Sequence, residues 1–290
     1  MRNIGVVGCG LMGRGIVKNL LENNYKVSIY DIDKAAVGRL EEMGATASAS
    51  VKSMAKEIDC LILSLPSPAL VQKTLLEDGA INELKAGSTV LDMSTNDVEI
   101  TRNLAQHAKK SGIELFDCPL SGGPAGAENG TLTIMVGGNA KAFTGIVPVL
   151  KAVGEHIEYV GPSGAGQAVK LCHNMIVGGV ITLLSEALLT GEKAGVPKAK
   201  VASILQKGSA HTRVMDVFGS NILEDNFSDI KFSLANMTKD IQLYRNLAER
   251  ELIPTFASQP SHQIYQLAAN KGKGALDATA IYEMLDEWGG

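Results

Sequence analysis

Aromatic side chains are scarce in this chain: Phe, Tyr and Trp make up 4% of 290 residues, so its core must be assembled from aliphatic side chains. Cysteine is scarcer still. Cys9, Cys60, Cys118 and Cys172 form no CxxC pair and no metal-ligand spacing, so no metal site is expected. Three of them lie in apolar stretches, where a free thiol behaves as a small hydrophobe, and a reducing, cytoplasmic setting is the expectation. No run of Lys or Arg occurs. Lys271-Gly272-Lys273 is too short to count and reads as a solvated loop, and the net charge of −4 argues against a nucleic-acid partner. No uninterrupted apolar run approaches the ~18 residues that a membrane span needs. The expectation is a soluble enzyme-sized globule of one large domain or two moderate ones.

Glycine, by contrast, is plentiful. Many of the 31 glycines stand in short clusters, which suggests backbone approaching a ligand or tight helix packing. In the first half, apolar runs at 3–7, 26–30, 60–65 and 89–93 alternate with helical patterns such as 11–21 and 98–108. That alternation predicts βαβ units winding a parallel sheet, its near-continuous apolar strands buried on both faces. Runs at 114–118, 132–136 and 156–160 extend the sheet, and Gly161-Pro162-Ser163-Gly164 then punctuates the chain. Beyond it, 167–193 reads as one long apolar helix, expected to be buried between domains or subunits. Helical patterns follow at 198–207, 239–249 and 261–269, the last two separated by Pro254 and Pro260. The predicted organisation is a doubly wound α/β domain over 1–163, followed by an all-helical domain over 164–290 that includes the long helix.

Gly8-Cys9-Gly10-Leu11-Met12-Gly13 is a GxGxxG placed directly after a strand and opening a helix. In that context Gly8 permits the sharp turn, Gly10 lets the backbone approach a pyrophosphate, and Gly13 lets the helix pack close to the sheet. The helix start, with Leu11 and Met12, offers free N–H groups to the phosphates. Asp31 ends the second strand, 18 positions after Gly13, where a carboxylate accepts hydrogen bonds from ribose hydroxyls and repels a 2′-phosphate. This favours NAD, with NADP as the alternative. Asp33 is a rival for the ribose role and a candidate cap for the next helix.

The run from Asp117 to Ala127 supplies Ser121 beside the unhindered backbone amides of Gly122 and Gly123. It reads either as a loop that holds a small carboxylate or as a tight turn between strands. Lys170, His173 and Asn174 stand at i, i+3 and i+4 of the long helix and so share a face. They form either a catalytic patch, in which a desolvated lysine trades a proton with a substrate hydroxyl, or an exposed first turn. His107, His156, His211 and His262 are scattered and read as surface or helix-end residues, Asp92 and Asp117 as strand-end residues satisfying local backbone.

Taken together, the opening GxGxMG, the DxPxSGGxxGAxxGTL stretch from Asp117 to Leu132, GxGxxxK from Gly164 to Lys170, and Lys239-Asp240 resemble the β-hydroxyacid dehydrogenases. That group includes 3-hydroxyisobutyrate dehydrogenase and tartronate semialdehyde reductase, and the similarity runs nearly end to end. The resemblance implies a Rossmann domain, Lys170 as acid/base, and Asn174 as the amide that orients substrate and lysine. It further implies Ser121, Gly122 and Gly123 as the substrate anchor, Lys239 closing over the cofactor, and Leu65-Pro66 and Ser94-Thr95 flanking it. A small hydroxy-acid substrate and a homodimer or homotetramer are implied as well. Many relatives carry Asn where this chain has His173; Lys-x-x-His-Asn resembles 6-phosphogluconate dehydrogenase, in which that histidine contacts substrate. The chain is short for that enzyme's long form and lacks an Arg/Lys cluster for a sugar phosphate, so the hydroxyacid reading is preferred. A catalytically silent nucleotide sensor is the remaining alternative.

Overall fold

The computed structural model describes residues 1–289 and divides the chain into two compact units, Met1–Lys170 and Leu171–Gly290. The first unit contains nine strands: β1 (Asn3–Val7), β2 (Lys26–Tyr30), β3 (Thr46–Ala47), β4 (Cys60–Leu63), β5 (Thr89–Asp92), β6 (Glu114–Asp117), β7 (Leu120–Ser121), β8 (Leu132–Gly137) and β9 (Gly154–Gly161). They form one sheet in the order β3-β2-β1-β4-β5-β6-β8-β7, with β9 beside β8. The first six strands run parallel in the 3-2-1-4-5-6 order of a Rossmann sheet, and β8 pairs antiparallel with β6 and β7.

The intervening helices are α1 (Leu11–Glu22), α2 (Lys34–Glu41), α3 (Val51–Ala55), α4 (Pro68–Gln72), α5 (Ala80–Glu83), α6 (Val98–Lys110), α7 (Gly123–Asn129) and α8 (Phe143–Val153). Alternate strand residues point to opposite faces, and both faces are buried. Ile4, Val6, Cys60, Ile62, Leu91 and Phe116 pack with α1, α2, α7 and α8. Their neighbours Val7, Leu61, Leu63, Val90 and Leu115 pack against α3, α5 and α6 on the other side. This two-sided burial explains the near-continuous apolar strands.

The long helix is α9 (Ala165–Lys193), whose first six residues belong to the first unit. The second unit continues with α10 (Lys198–Leu205), α11 (Arg213–Leu223), α12 (Leu234–Arg250), α13 (Ser258–Asn270) and α14 (Ile281–Gly289). Its core gathers Ile181, Leu188, Ile222, Met237, Ile241, Tyr265 and Ile281. Among the described residues beyond β9 there is no strand, only an isolated bridge between Ser233 and Asp277. Buried Asp277 fastens that segment by accepting the N–H groups of Lys231, Phe232 and Thr279 at 2.9–3.1 Å.

Several expectations need correction. The strand read over 60–65 stops at Leu63, and the Ser64 carbonyl beyond it abuts Gly8. Pro260 does not separate helices; it lies in the first turn of α13, where its missing N–H is harmless. Lys273 is not simply solvated, since its ammonium pairs with Glu283 at 2.5 Å and Glu287 at 3.1 Å. By length and composition α9 is long and apolar enough to cross a membrane, although it holds no uninterrupted apolar run of ~18 residues. It nevertheless buries Gln167, Lys170, Asn174, Thr182 and Ser185 alongside core residues Ile181, Leu184 and Leu188, as a core helix does. Within the single chain its outer face is open: Ile176 is 61% exposed and Leu183 66%.

His262 is likewise no surface residue: it is 3% exposed, and its Nδ1 accepts from Arg245 Nη1 at 3.0 Å. Burial, reinforced by the Arg245 charge, lowers its pKa below the ordinary 6.5. Because the folded protein binds this proton less readily than the unfolded chain, the contribution is present above the unfolded value and lost as pH falls below it. Urea titrations of the unsubstituted protein should therefore show stability falling below about pH 6.5. His262→Asn, which retains an acceptor for Arg245, should flatten that slope; an unchanged slope would refute the assignment.

Candidate active site

The turn after β1 gives each motif glycine a distinct physical role. Gly8 has φ +99°, and a Cβ there would lie 2.2 Å from the Ser64 carbonyl oxygen. A Cβ on Gly13 would lie 1.8 Å from the Gly8 carbonyl oxygen, so α1 packs directly on its own entry turn. Gly10 differs: nothing lies within 4 Å of the place its Cβ would occupy. The N-terminus of α1 has no side-chain cap and no acidic residue in its first turn, so its positive end is left for an external anion. Leu11 is exposed there, while Met12 packs on the core. Strand order reverses between β1 and β4, so this turn sits where doubly wound sheets accept dinucleotides.

Asp31 follows β2, and its carboxylate braces the turn. Oδ2 accepts the Cys9 N–H at 2.6 Å, and Oδ1 accepts the Asp33 N–H at 2.8 Å. Asp33 caps α2 through the Ala35 N–H at 2.9 Å. Burial, helped by Asp31 and Asp33, pushes the Cys9 thiol up to about 12, so it is an inert filler. Open space at Gly10, an uncompensated helix end and a part-exposed carboxylate fit a dinucleotide's pyrophosphate and ribose.

At the next strand ends, Leu65 N–H donates to Ser94 Oγ at 3.0 Å. Pro66 is exposed, Ser94 is buried and Thr95 half-buried. Asp92 accepts from Ser94 N–H at 3.1 Å and Asn96 Nδ2 at 2.9 Å, and burial pushes its carboxyl up to about 6. Asp92 thus serves local backbone as expected. Asp117 does more: its Oδ1 accepts the Gly164 N–H at 2.8 Å and its Oδ2 the Gln167 N–H at 3.0 Å. It fastens the start of α9 to the end of β6, and burial raises its pKa.

The segment read as one glycine loop contains two short elements. Ser121 ends β7, paired with Thr133 of β8; Gly122 (φ +129°) and Gly123 (φ +62°) make the turn, and α7 begins at Gly123. Helix α7 rests on α1 almost backbone to backbone: a Cβ on Gly15 would lie 2.5 Å from the Ala127 carbonyl carbon. Buried Asn19 donates to the Gly15 and Ala127 carbonyls at 2.8 and 2.7 Å, while Lys18 and Arg14 pair with Glu128. The turn that carries Ser121 is therefore tied to the turn that carries Gly10.

On α9, Lys170 is buried (7% exposed), and so is Asn174 (4%). Within the second unit, Asn174 Nδ2 donates to Asp240 Oδ2 at 2.5 Å, and His173 Nδ1 lies 2.9 Å from Asn174 Oδ1. Lys239 pairs with Asp240 Oδ1 at 2.7 Å, so one buried carboxylate gathers Asn174 and Lys239. Two cavities within the second unit, one bordered by Leu184 and Met215 and one by Arg245 and Thr255, contain none of these residues. Asp240, Gln167 and Asn19 received no role from sequence. Each is polar in an apolar helical pattern, which was the available signal.

Comparison with known proteins supplies the family. Residues 3–161 match the family described as "NAD binding domain of 6-phosphogluconate dehydrogenase", and residues 164–285 match "NAD-binding of NADP-dependent 3-hydroxyisobutyrate dehydrogenase". The chain is 33% identical to a probable mitochondrial 3-hydroxyisobutyrate dehydrogenase of Dictyostelium discoideum, covering 99% of this chain and 91% of that protein. It is 32% identical to a 2-(hydroxymethyl)glutarate dehydrogenase of Eubacterium barkeri, covering 99% and 96%. A crystal structure described as 3-hydroxyisobutyrate dehydrogenase from Salmonella typhimurium superposes with a TM-score of 0.90 at 26% identity, covering 98% and 100%. The chain belongs to the β-hydroxyacid dehydrogenase family. It is an NAD(P)-dependent oxidoreductase acting on CH–OH groups.

The contrast among the glycines yields a test. Gly10 has ordinary backbone angles (φ −67°, ψ −165°) and free space, so Gly10→Ala should fold with an unchanged Tm. The added methyl intrudes where the pyrophosphate would lie, and NAD(P) affinity by titration should fall by about tenfold or more, or about 1.4 kcal/mol. Full affinity in a folded variant would place the dinucleotide elsewhere.

Proposed function

We propose that this enzyme is an NAD-preferring dehydrogenase of small β-hydroxy acids, HOCH2–CHR–COO⁻, of the 3-hydroxyisobutyrate or glycerate type. The observation that carries the reading is the buried Lys170, placed on a helix whose first turn is fastened to the strand ends beside Ser94 and Asp117. The names of the two curated relatives supply the substrate pattern. 3-Hydroxyisobutyrate and 2-(hydroxymethyl)glutarate are both primary alcohols one carbon from a carboxylate-bearing carbon, and they differ only in R.

In the oxidation, bound NAD supplies the hydride acceptor. Lys170, as the free amine, accepts the substrate hydroxyl proton while hydride leaves the carbinol carbon, and it returns the proton when the aldehyde is reduced. The Ser121 hydroxyl and the Gly122 and Gly123 N–H groups hold the carboxylate, which fixes the distance from anchor to hydroxyl and contributes orientation. Asn174, braced by Asp240, orients the substrate and the lysine, and His173 borders the substrate. Lys239 closes over the dinucleotide. Asp31 accepts from the ribose and disfavours a 2′-phosphate by like charge.

Lys170→Ala should lower turnover by orders of magnitude while NAD affinity remains within about threefold. Near-normal turnover would eliminate the lysine's assignment. A screen with NAD and NADP over 3-hydroxyisobutyrate, glycerate, 3-hydroxypropionate, 4-hydroxybutyrate and serine tests the substrate class. A 6-phosphogluconate-type decarboxylation, suggested by His173 hydrogen-bonded beside Asn174, would instead release CO2 from a phosphorylated aldonate.

The working form is a cytoplasmic homodimer or homotetramer. Val169, Ile176 and Leu183, seven residues apart, form one exposed apolar stripe on α9 that a second copy would cover. Ile176→Asp with Leu183→Asp should shift sedimentation toward the monomer; sedimentation identical to the unsubstituted protein would remove α9 from the interface.

A further inference from the structure

Gln167 lies three residues before Lys170, fully buried, and its side-chain amide is used at both ends. Nε2 donates to the Ser94 carbonyl at 2.9 Å, and Oε1 accepts the Asn96 N–H at 2.9 Å. Ser94 Oγ in turn accepts the Leu65 N–H, and Asn96 Nδ2 donates to Asp92. One primary amide therefore closes a buried chain of hydrogen bonds from the end of β4, across the end of β5, to the first turn of α9. The same turn is held by Asp117, and it has no slack: a Cβ on Gly166 would lie 2.4 Å from the Met135 carbonyl oxygen.

We infer that Gln167 is a positioning residue for the oxidoreduction, fixing where α9 delivers Lys170 relative to the strand ends at Leu65 and Ser94 that flank the cofactor. The inference rests on the proposed role of Lys170. The chemistry selects glutamine, because the position requires one donor and one acceptor on a rigid planar group. An ionised carboxylate there accepts from Asn96 and opposes the Ser94 carbonyl. A thioether fills the volume and makes neither bond.

The helix itself adds one reason for the sensitivity. Lys170 is one turn along α9 from Gln167, so a shift of the first turn is carried to the lysine without attenuation. A displacement of about 1 Å in a reacting group lowers turnover by about 100-fold.

Two variants separate positioning from packing. Gln167→Met should lower kcat by about 10-fold to 100-fold while the dinucleotide Kd changes by less than about threefold. Titration with the dinucleotide counts the folded molecules. Gln167→Glu should show its lowest kcat, relative to the unsubstituted enzyme, at about pH 8 and recover toward about pH 6, because a protonated carboxyl both donates and accepts. The ionisable groups facing or neighbouring this amide are Asp92 on β5, Asp117 and Cys118 at the end of β6, Asp97 at the start of α6, and Lys170 on α9. All are present in both proteins, so the ratio isolates the introduced group.

A packing role alone would lower Tm, leave kcat per folded molecule unchanged and give a flat ratio across pH, which would overturn the inference. Should Gln167→Met not fold, the pH ratio of Gln167→Glu decides. Lys170→Ala is the control: turnover surviving there removes the lysine reading itself. Loss of turnover there, with both Gln167 variants fully active, overturns the positioning role alone.

Discussion

The start of α9 is held by side chains of the sheet and not by a cap of its own. Asp117 at the end of β6 takes the Gly164 and Gln167 N–H groups, while Gln167 reaches back to the Ser94 and Asn96 backbone. Free N–H groups at a helix start must be satisfied, and here a buried carboxylate does so from a strand. Desolvation disfavours that carboxylate's charge, and the N–H groups counter it. The result is a joint that is expensive to open, at the point where the sheet hands over to the helix bearing Lys170. An amine on a long flexible stem is only as well placed as its Cα, so this joint fixes the point from which the Lys170 side chain starts.

The same economy runs through the rest of the first unit. Glycines at 8, 13 and 15 remove every atom that would hold α1 away from the sheet or from α7. Asn19 then satisfies carbonyls on both sides of the α1–α7 contact. The Gly8–Gly13 turn and the Gly122–Gly123 turn are thereby joined through short buried links, without a long loop between them. The cysteines contribute only volume: Cys9, Cys60 and Cys118 are buried, their thiols pushed well up by desolvation, and Cys172 alone among the four is exposed.

Much of this was legible from sequence because it rests on local rules. Near-continuous apolar strands, a period near 3.6 in helices and glycine punctuation made the parallel βαβ sheet legible, while the two-residue strands β3 and β7 carry no apolar run and went unread. Gly8, Gly10 and Gly13 stood out because one turn of backbone imposes their spacing, and Asp31 because it follows the second apolar run. What escaped was long-range. Nothing adjacent to Asp117 announces a partner 47 residues on, and Gln167 looks like any polar residue in a first turn. Asn174 was visible as a helix-face neighbour of Lys170, but its brace, Asp240, is 66 residues away. His262 was misread for the same reason: its partner Arg245 lies on a different helix, and only tertiary packing brings a neutral imidazole inside.

The role proposed for Asp31 and its observed hold on the turn together limit how this scaffold can be altered. Both carboxylate oxygens are engaged by backbone, one by Cys9 and one by Asp33. Exchanging the acid for a small neutral residue to admit a phosphorylated ribose would also unfasten the phosphate turn, so a redesign toward the other dinucleotide must furnish a replacement acceptor for Cys9. Asparagine, with a single carbonyl, could keep one of the two ties. Under the role proposed for Asp31, discrimination between cofactors and integrity of the turn are inherited together.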